Sequence, residues 1–187
     1  MNLSSSTKIT ITGDLGSGKS ATAAILCALT GFQYVSTGKI QRQLAAELGM
    51  DTLALNRLAD ADPSIDARID AIFSSLEDDE QGYVVDSRMA WFFLKNAYRV
   101  YLEIPVEIAA ARILQDPNRN SEQYGSVEEA MQKILARKAS EDARFLQKYG
   151  ADCSDKSNFD QVINTADKRP EEVAHLILSG IAASQAE

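Results

Sequence analysis

Histidine, cysteine and long apolar runs are the scarce elements of this 187-residue chain, which holds one His, two Cys, four Pro and one Trp. A lone His175 with cysteines as far apart as Cys27 and Cys153 gives no spacing for a zinc site or a Cys–His nucleophile pair. A disulfide scaffold is not needed either. At this length folding removes roughly 70% of the unfolded chain's surface from water, so both thiols are expected to be free. The longest uninterrupted apolar runs, Ala23–Leu29 and Met89–Leu94, fall far short of the roughly 20 residues that span a bilayer. The first twenty residues carry only Lys8 and Lys19 as basic groups and no apolar stretch with a small-residue cleavage site. A cytoplasmic location without membrane contact is the expectation. Positive charge is also short: 19 Lys and Arg against 27 Asp and Glu give a formal charge of −8, a field that repels nucleic acid unless cations are gathered locally.

With 45% hydrophobic and 25% charged residues, the chain reads as one globular domain over residues 1–187, and a monomer is expected. Lys8–Thr12 is a β-branched run ending at Gly13, and Lys19–Thr30 is Ala- and Leu-rich with Gly31 as a stop, which predicts strand, turn and helix. Phe32–Ser36, Tyr83–Asp86, Arg99–Ile104 and Gln161–Asn164 are the further predicted strands. Helical patterns follow at Gly38–Leu48, across the Asp-rich Asp51–Asp79, after strands three and four, and from Pro170 with a stripe of Val173, Leu176, Ile177 and Ile181. Pro105 suits the first turn of the helix after strand four. Alternating strands and helices predict an α/β fold, a five-stranded parallel sheet with helices on both faces and ligands at the carboxyl ends of the strands. Asp116–Ser126, which has no aliphatic residue, is expected as a mobile loop between two helices.

Gly13-Asp14-Leu15-Gly16-Ser17-Gly18-Lys19-Ser20 fits GxxxxGKS between a strand and a helix, the context that a P-loop requires. Backbone N–H groups of Gly13, Gly16, Ser17 and Gly18 turn inward around phosphate oxygens and the helix N-terminus adds positive potential. Lys19 reaches the outer phosphates, and the Ser20 hydroxyl can ligate Mg²⁺. ATP and Mg²⁺ are therefore the expected cofactors. The motif alone does not separate a kinase from a GTPase or a nucleotide sensor. Asn164-Thr165-Ala166-Asp167 puts Thr where the guanine-reading NKxD has Lys, and no DxxG follows Asp86, so a guanine switch is disfavoured.

Arg42, one turn into the second helix, and Arg88, just after strand three, stand at strand carboxyl ends, where they form either a bidentate phosphate clamp or ordinary surface ion pairs. Asp86 is placed either to hold Mg²⁺ or its water shell, or to cap the next helix. Arg137, Glu141 and Arg144 share one helix face, either as a salt-bridged surface or as a lid carrying two guanidinium groups over phosphates. His175 lies opposite the Val173/Ile177 stripe and is expected in solvent. Met89–Leu94 reads as a buried helix start, with Trp91 available to an acceptor pocket.

Taken in order, GDLGSGKS, STGKIQR, DPSIDARID (Asp62–Asp70), VVDSR, ARKASEDARF (Ala136–Phe145) and FDQVINT resemble the nucleoside monophosphate kinase family, and more closely its short archaeal-type cytidylate kinase branch. The resemblance spans nearly the whole chain. It implies a P-loop kinase with an acceptor-binding segment at 37–80 and a lid at 115–145. In it, Lys19 and Ser20 serve ATP and Mg²⁺, Arg112 lies near the donor nucleotide, and Arg137 and Arg144 belong to the lid. Thr37, Arg42, Asp66, Arg88 and Glu141 line the acceptor site, with Asp62 and Asp66 in the region that closes on the base. Lys39, Ser87, Trp91 and Asp116 depart from the family pattern. The implied activity is phosphoryl transfer from ATP to a small nucleotide acceptor, CMP or dCMP. A kinase for shikimate, gluconate or dephospho-coenzyme A, or a non-catalytic nucleotide-binding module, is the alternative.

Overall fold

The computed structural model describes residues 3–50, 54–55, 58–59, 62–116 and 124–185, with Pro63, Asp66 and Ile69 described by backbone alone. Five strands, β1 (Lys8–Gly13), β2 (Gln33–Ser36), β3 (Tyr83–Asp86), β4 (Ala97–Glu103) and β5 (Gln161–Asn164), form one parallel sheet in the order β2-β3-β1-β4-β5. The described helices are α1 (Lys19–Thr30), α2 (Thr37–Glu47), α3 (Pro63–Glu77), α4 (Ala90–Phe93), α5 (Val106–Gln115), α6 (Val127–Tyr149) and α7 (Pro170–Ser184). The fold is thus the expected parallel α/β sheet. None of the described helices is long and apolar enough to cross a membrane.

Alternation along the strands sorts side chains to two faces. Ile9, Ile11, Val84, Val100, Leu102 and Ile163 pack with Ala23 and Leu26 of α1 and Val173, Ile177 and Ile181 of α7. On the opposite face, Tyr83, Val85 and Tyr101 meet Phe73 of α3, Trp91 of α4, Phe145 of α6 and Phe159. Trp91 packs against Phe159 in this second core, with ring centroids 5.3 Å apart and planes tilted by 53°, so the burial reading of Met89–Leu94 is the correct one and Trp91 does not line the cleft. A smaller cluster joins α5 to α6 through Ala109, Ile113, Ala130 and Ile134. Leu44, Leu55, Ala59 and Ile65 form another beside α2.

Local chemistry sets the element ends. Ser36, Asp62 and Ser126 cap α2, α3 and α6 by accepting hydrogen bonds from Lys39, Ser64 and Glu129 N–H groups. Asp62 thus serves the helix start. Strand β4 begins two residues earlier than expected because Ala97 and Tyr98 already pair with Lys8 and Ile9. Pro105 sits at the N-cap of α5 rather than in its first turn, with an extended ψ of 136°. The helix after β3 is a single turn, ended by Leu94 in extended conformation as the chain re-enters the sheet. The predicted loop lies between α5 and α6, with residues 117–123, Arg119 among them, outside the described part.

Gly13 closes β1 with φ +141°, and a Cβ there would stand 2.1 Å from the Leu102 carbonyl oxygen. The Asp14 N–H uses that same oxygen at 2.9 Å to turn the chain into the loop. Gly13→Ala is therefore expected to cost at least about 2 kcal/mol, combining strain at positive φ with a backbone clash. Urea unfolding checks this, and an unchanged midpoint would contradict it.

Candidate active site

A cleft of about 860 Å³ opens at the carboxyl ends of the strands. Leu15–Ser20 and the start of α1 form its floor. Gly18 is left-handed at the N-cap of α1 and no side chain caps this helix, so its first N–H groups are left for a ligand. Lys19 Nζ donates to the Gly13 and Asp14 carbonyls at 2.9 and 2.7 Å. Burial pulls the Lys19 ammonium down to about 8, assisted by Arg88 and opposed by Asp86, Asp14 and Glu141. A half-buried cation short of compensating charge favours an anionic ligand.

Ser20 Oγ donates to Asp86 Oδ2 at 2.7 Å, and Tyr34 OH reaches the same oxygen at 3.2 Å. Asp86 therefore does not cap a helix. The two hard oxygen donors that the sequence singled out meet at the base of the cleft, a pairing that suits Mg²⁺, which takes one or two protein ligands and completes its shell with water and phosphate. Among the described residues no three His, Cys, Asp or Glu side chains form a metal cage, and an ion carried by phosphates needs none.

On one side the cleft is lined by Arg112 of α5 and by Thr165, Lys168 and Arg169 after β5. Arg112 is fixed by donating to the Thr165 and Ala166 carbonyls at 2.8 and 2.9 Å. Thr37 and Arg42 of α2, Asp70 and Phe73 of α3, Arg88, and Arg137, Glu141 and Arg144 of α6 line the other. Of the residues that sequence placed here, all those described in full line the cleft except Gly13, which shapes the turn at its edge, Asp62, which caps α3, and Trp91, which is buried in the core; the Asp66 side chain lies outside the described part.

Glu141 is the centre of the charged wall. It accepts from Arg137 Nε at 2.8 Å, and its other oxygen lies 2.9 Å from Arg88 Nη2. That second contact is a charge pair without hydrogen-bond alignment, so the guanidinium keeps donor capacity for a phosphate oxygen. Burial alone would raise the Glu141 carboxyl, but Arg88, Arg137 and Arg144 outweigh it and hold it below the usual range. The triplet on α6 thus lines the cleft, with Glu141 buried and the two arginines half-buried.

Sequence reasoning missed Asp70, Tyr149, Lys168 and Arg169. Tyr149 OH donates to Asp70 Oδ2 at 3.1 Å, next to Phe73 and Phe145, so a fixed carboxylate borders an apolar slot. Spacing held the clue, because Asp66, Asp70 and Phe73 fall at i, i+4, i+7 on α3. The basic pair after β5 carries no sequence signal of its own. Of the departures from the family pattern, Lys39 lies 4.8 Å over the Tyr34 ring and Ser87 Oγ accepts from Met89 N–H, while Asp116 borders the cleft.

A carboxyl depressed in the folded state contributes stability above its unfolded value near 4.5, and that contribution is lost as pH falls through the folded value. Glu141→Gln is accordingly expected to lose about 2–4 kcal/mol at pH 7, because two guanidinium groups keep a buried contact without counter-charge. The gap to the parent should narrow below pH 4.5. Denaturant titrations across that range check it, and a gap independent of pH would contradict it.

Comparison with known proteins gives the family and the fold. A sequence model of the cytidylate kinase-like family matches residues 8–167. The chain is 38% identical over 176 residues to the cytidylate kinase of Sulfolobus acidocaldarius, covering 93% of each. It is also 38% identical over 174 residues to that of Ignicoccus hospitalis, covering 91% of this chain and 96% of the other. Among solved structures, shikimate kinase from Acinetobacter baumannii superposes with a TM-score of 0.63 at 18% identity, covering 97% of this chain and 96% of the other. A gluconokinase from Sinorhizobium meliloti gives 0.59 at 17%, covering 97% and 94%. These structures share the fold. The family match over most of the sequence and the similarity along nearly the full length establish that the chain belongs to the cytidylate kinase-like family.

Proposed function

We propose that this protein transfers the γ-phosphoryl group of ATP to CMP or dCMP, as a cytoplasmic monomer acting on free nucleotides. The observation that carries the reading is the two-ended cleft. A phosphate loop with Lys19 forms its floor, Arg42, Arg88, Arg137 and Arg144 line its acceptor side, and an apolar slot ends at Asp70. The curated relatives are cytidylate kinases along nearly their whole length.

The loop N–H groups and Lys19 hold the donor's β and γ phosphates, while Arg112, Lys168 and Arg169 border its nucleoside. Ser20 and Asp86 would hold Mg²⁺, which when bound neutralises charge on the β and γ oxygens. Arg42 and Arg88 grip the acceptor phosphate beside Thr37, and Glu141 orients Arg88 and Arg137. One acceptor phosphate oxygen forms the new P–O bond as the bond from the γ phosphorus to the ADP oxygen breaks. The attacking oxygen is already ionised, so no general base is required, in keeping with an exposed His175 outside the cleft. Arg137 and Arg144 meet the charge that spreads over the moving phosphoryl oxygens. At the far end, the Asp70 carboxylate, braced by Tyr149, accepts a hydrogen bond from the exocyclic amine of cytosine.

A panel of CMP, dCMP, UMP, AMP, GMP, shikimate and gluconate with MgATP tests the assignment. CMP or dCMP should lead, and a site that pairs a buried polar group with one base can reject others by up to about 10⁴-fold. Asp70→Asn should narrow the preference for CMP over UMP by roughly tenfold or more. Equal rates with every base, or transfer to a sugar acid alone, would refute the base assignment.

Arg144→Ala should lower kcat by about 10²-fold with little change in the KM for ATP, the pattern of an interaction made mainly in the transition state. Steady-state kinetics decide it. A kcat within about twofold of the parent, with only thermal stability altered, would return Arg144 to a structural role.

A further inference from the structure

Helix α6 is anchored by apolar packing at two separated places. Ala130 and Ile134 dock on α5, Phe145 docks in the core beneath the sheet, and between Ile134 and Phe145 the buried side chain is Glu141. The stretch that carries Arg137 and Arg144 is therefore placed by polar contacts. One set is the Arg88–Glu141–Arg137 group inside the cleft. The other leaves the cleft altogether: Lys138 Nζ donates to Asp14 Oδ1 at 2.5 Å.

Asp14 is the second residue of the phosphate loop and organises it from both ends. Its main-chain oxygen accepts from Ser17 Oγ at 2.8 Å and from Lys19 Nζ at 2.7 Å. Its carboxylate accepts from Tyr101 OH at 2.9 Å and from Ile104 N–H at 3.2 Å, besides Lys138. Neither Asp14 nor Lys138 lines the cleft. Burial disfavours both charges, but their contact prevails, holding the Asp14 carboxyl below its usual range and the Lys138 ammonium above it.

We propose that the Asp14–Lys138 pair is a positioning pin that ties the middle of α6 to the phosphate loop, and so fixes Arg137 relative to Lys19 during phosphoryl transfer. Asp14 and Lys138 touch neither nucleotide. They act through their neighbours, Arg137 on the helix and Lys19 on the loop. The inference rests on the kinase reading above, since it assigns Arg137 a place over the phosphates.

The test is a cycle of Asp14→Asn, Lys138→Met and the double variant, with Lys138→Arg as the conservative control, all in the full chain with MgATP and CMP. Each single variant should lose about tenfold or more in kcat, because misplacing a catalytic group by an ångström is that costly, with KM for both nucleotides within about twofold. The double variant should be no slower than the slower single, and Lys138→Arg should recover most of the turnover. Amide exchange should quicken in the middle of α6 in Lys138→Met while β1 stays protected, a readout that does not depend on the acceptor. Unchanged kcat, losses that multiply in the double variant, a loss confined to the KM for ATP, or unaltered exchange in α6 would each overturn the pin. If Asp14→Asn does not fold, the Lys138→Met and Lys138→Arg pair decides. A parent protein inactive on CMP would instead refute the acceptor assignment and leave the exchange result standing.

Discussion

Eight cations, among them Lys19, Arg42, Arg88, Arg137 and Arg144, line one cleft in a chain whose formal charge is −8, and their mutual repulsion has to be offset before any ligand arrives. Glu141 provides much of that offset. It is buried between Arg88 and Arg137 and held ionised by them. Asp86 and the loop carbonyls do the same for Lys19. The compensation is deliberately incomplete in chemical terms, because Lys19 remains easier to deprotonate than an ordinary lysine and Arg88 meets Glu141 without hydrogen-bond alignment. A cleft so poised gains more from phosphate than a surface patch of the same charge, since Lys19, Arg88, Arg137 and Arg144 are already half-buried and so partly stripped of their water.

The sheet explains why these groups can be gathered at all. Strands β1 and β3 run in parallel and end side by side, so Gly13 and Asp86 deliver the loop and the candidate metal ligand to the same edge. Strand β2 delivers the start of α2 there, with Thr37 and Arg42, and β5 delivers Thr165, Lys168 and Arg169. Beside α3, which brings Asp70 and Phe73, the element that arrives from outside the sheet is α6. Its 23 residues must be held in register by a few polar contacts between apolar anchors, which makes its placement the adjustable part of the site.

How far this was legible in the residues depends on the range of the interaction involved. The β-branched run Lys8–Thr12, the glycines of the loop and the apolar stripe of α7 are local patterns, and they located the strand, the turn and the closing helix. The GKS motif and the DSR after β3 likewise placed Lys19, Ser20, Asp86 and Arg88 in one cleft. Contacts across the chain were not visible. Nothing near Asp14 announces that Lys138 will pair with it, and nothing near Asp70 announces Tyr149. Trp91 was ambiguous for the same reason, because its burial depends on Phe159, far along the sequence. The early start of β4 was not legible, because its pairing with Lys8 and Ile9 of β1 is again a contact across the chain.

The central claim is that one cleft holds both phosphoryl donor and phosphorylated acceptor, with Lys19 and Arg88 on the two sides of the transferred group. Calorimetric titration with a bisubstrate compound, cytidine and adenosine joined through a chain of five phosphates, tests this most directly. Simultaneous occupancy of both ends should make it bind at least about a hundredfold more tightly than ATP alone, and more tightly than the matching compound with adenosine at both ends. Binding no tighter than that of ATP would mean that the two ends do not serve one transfer, and would contradict the account.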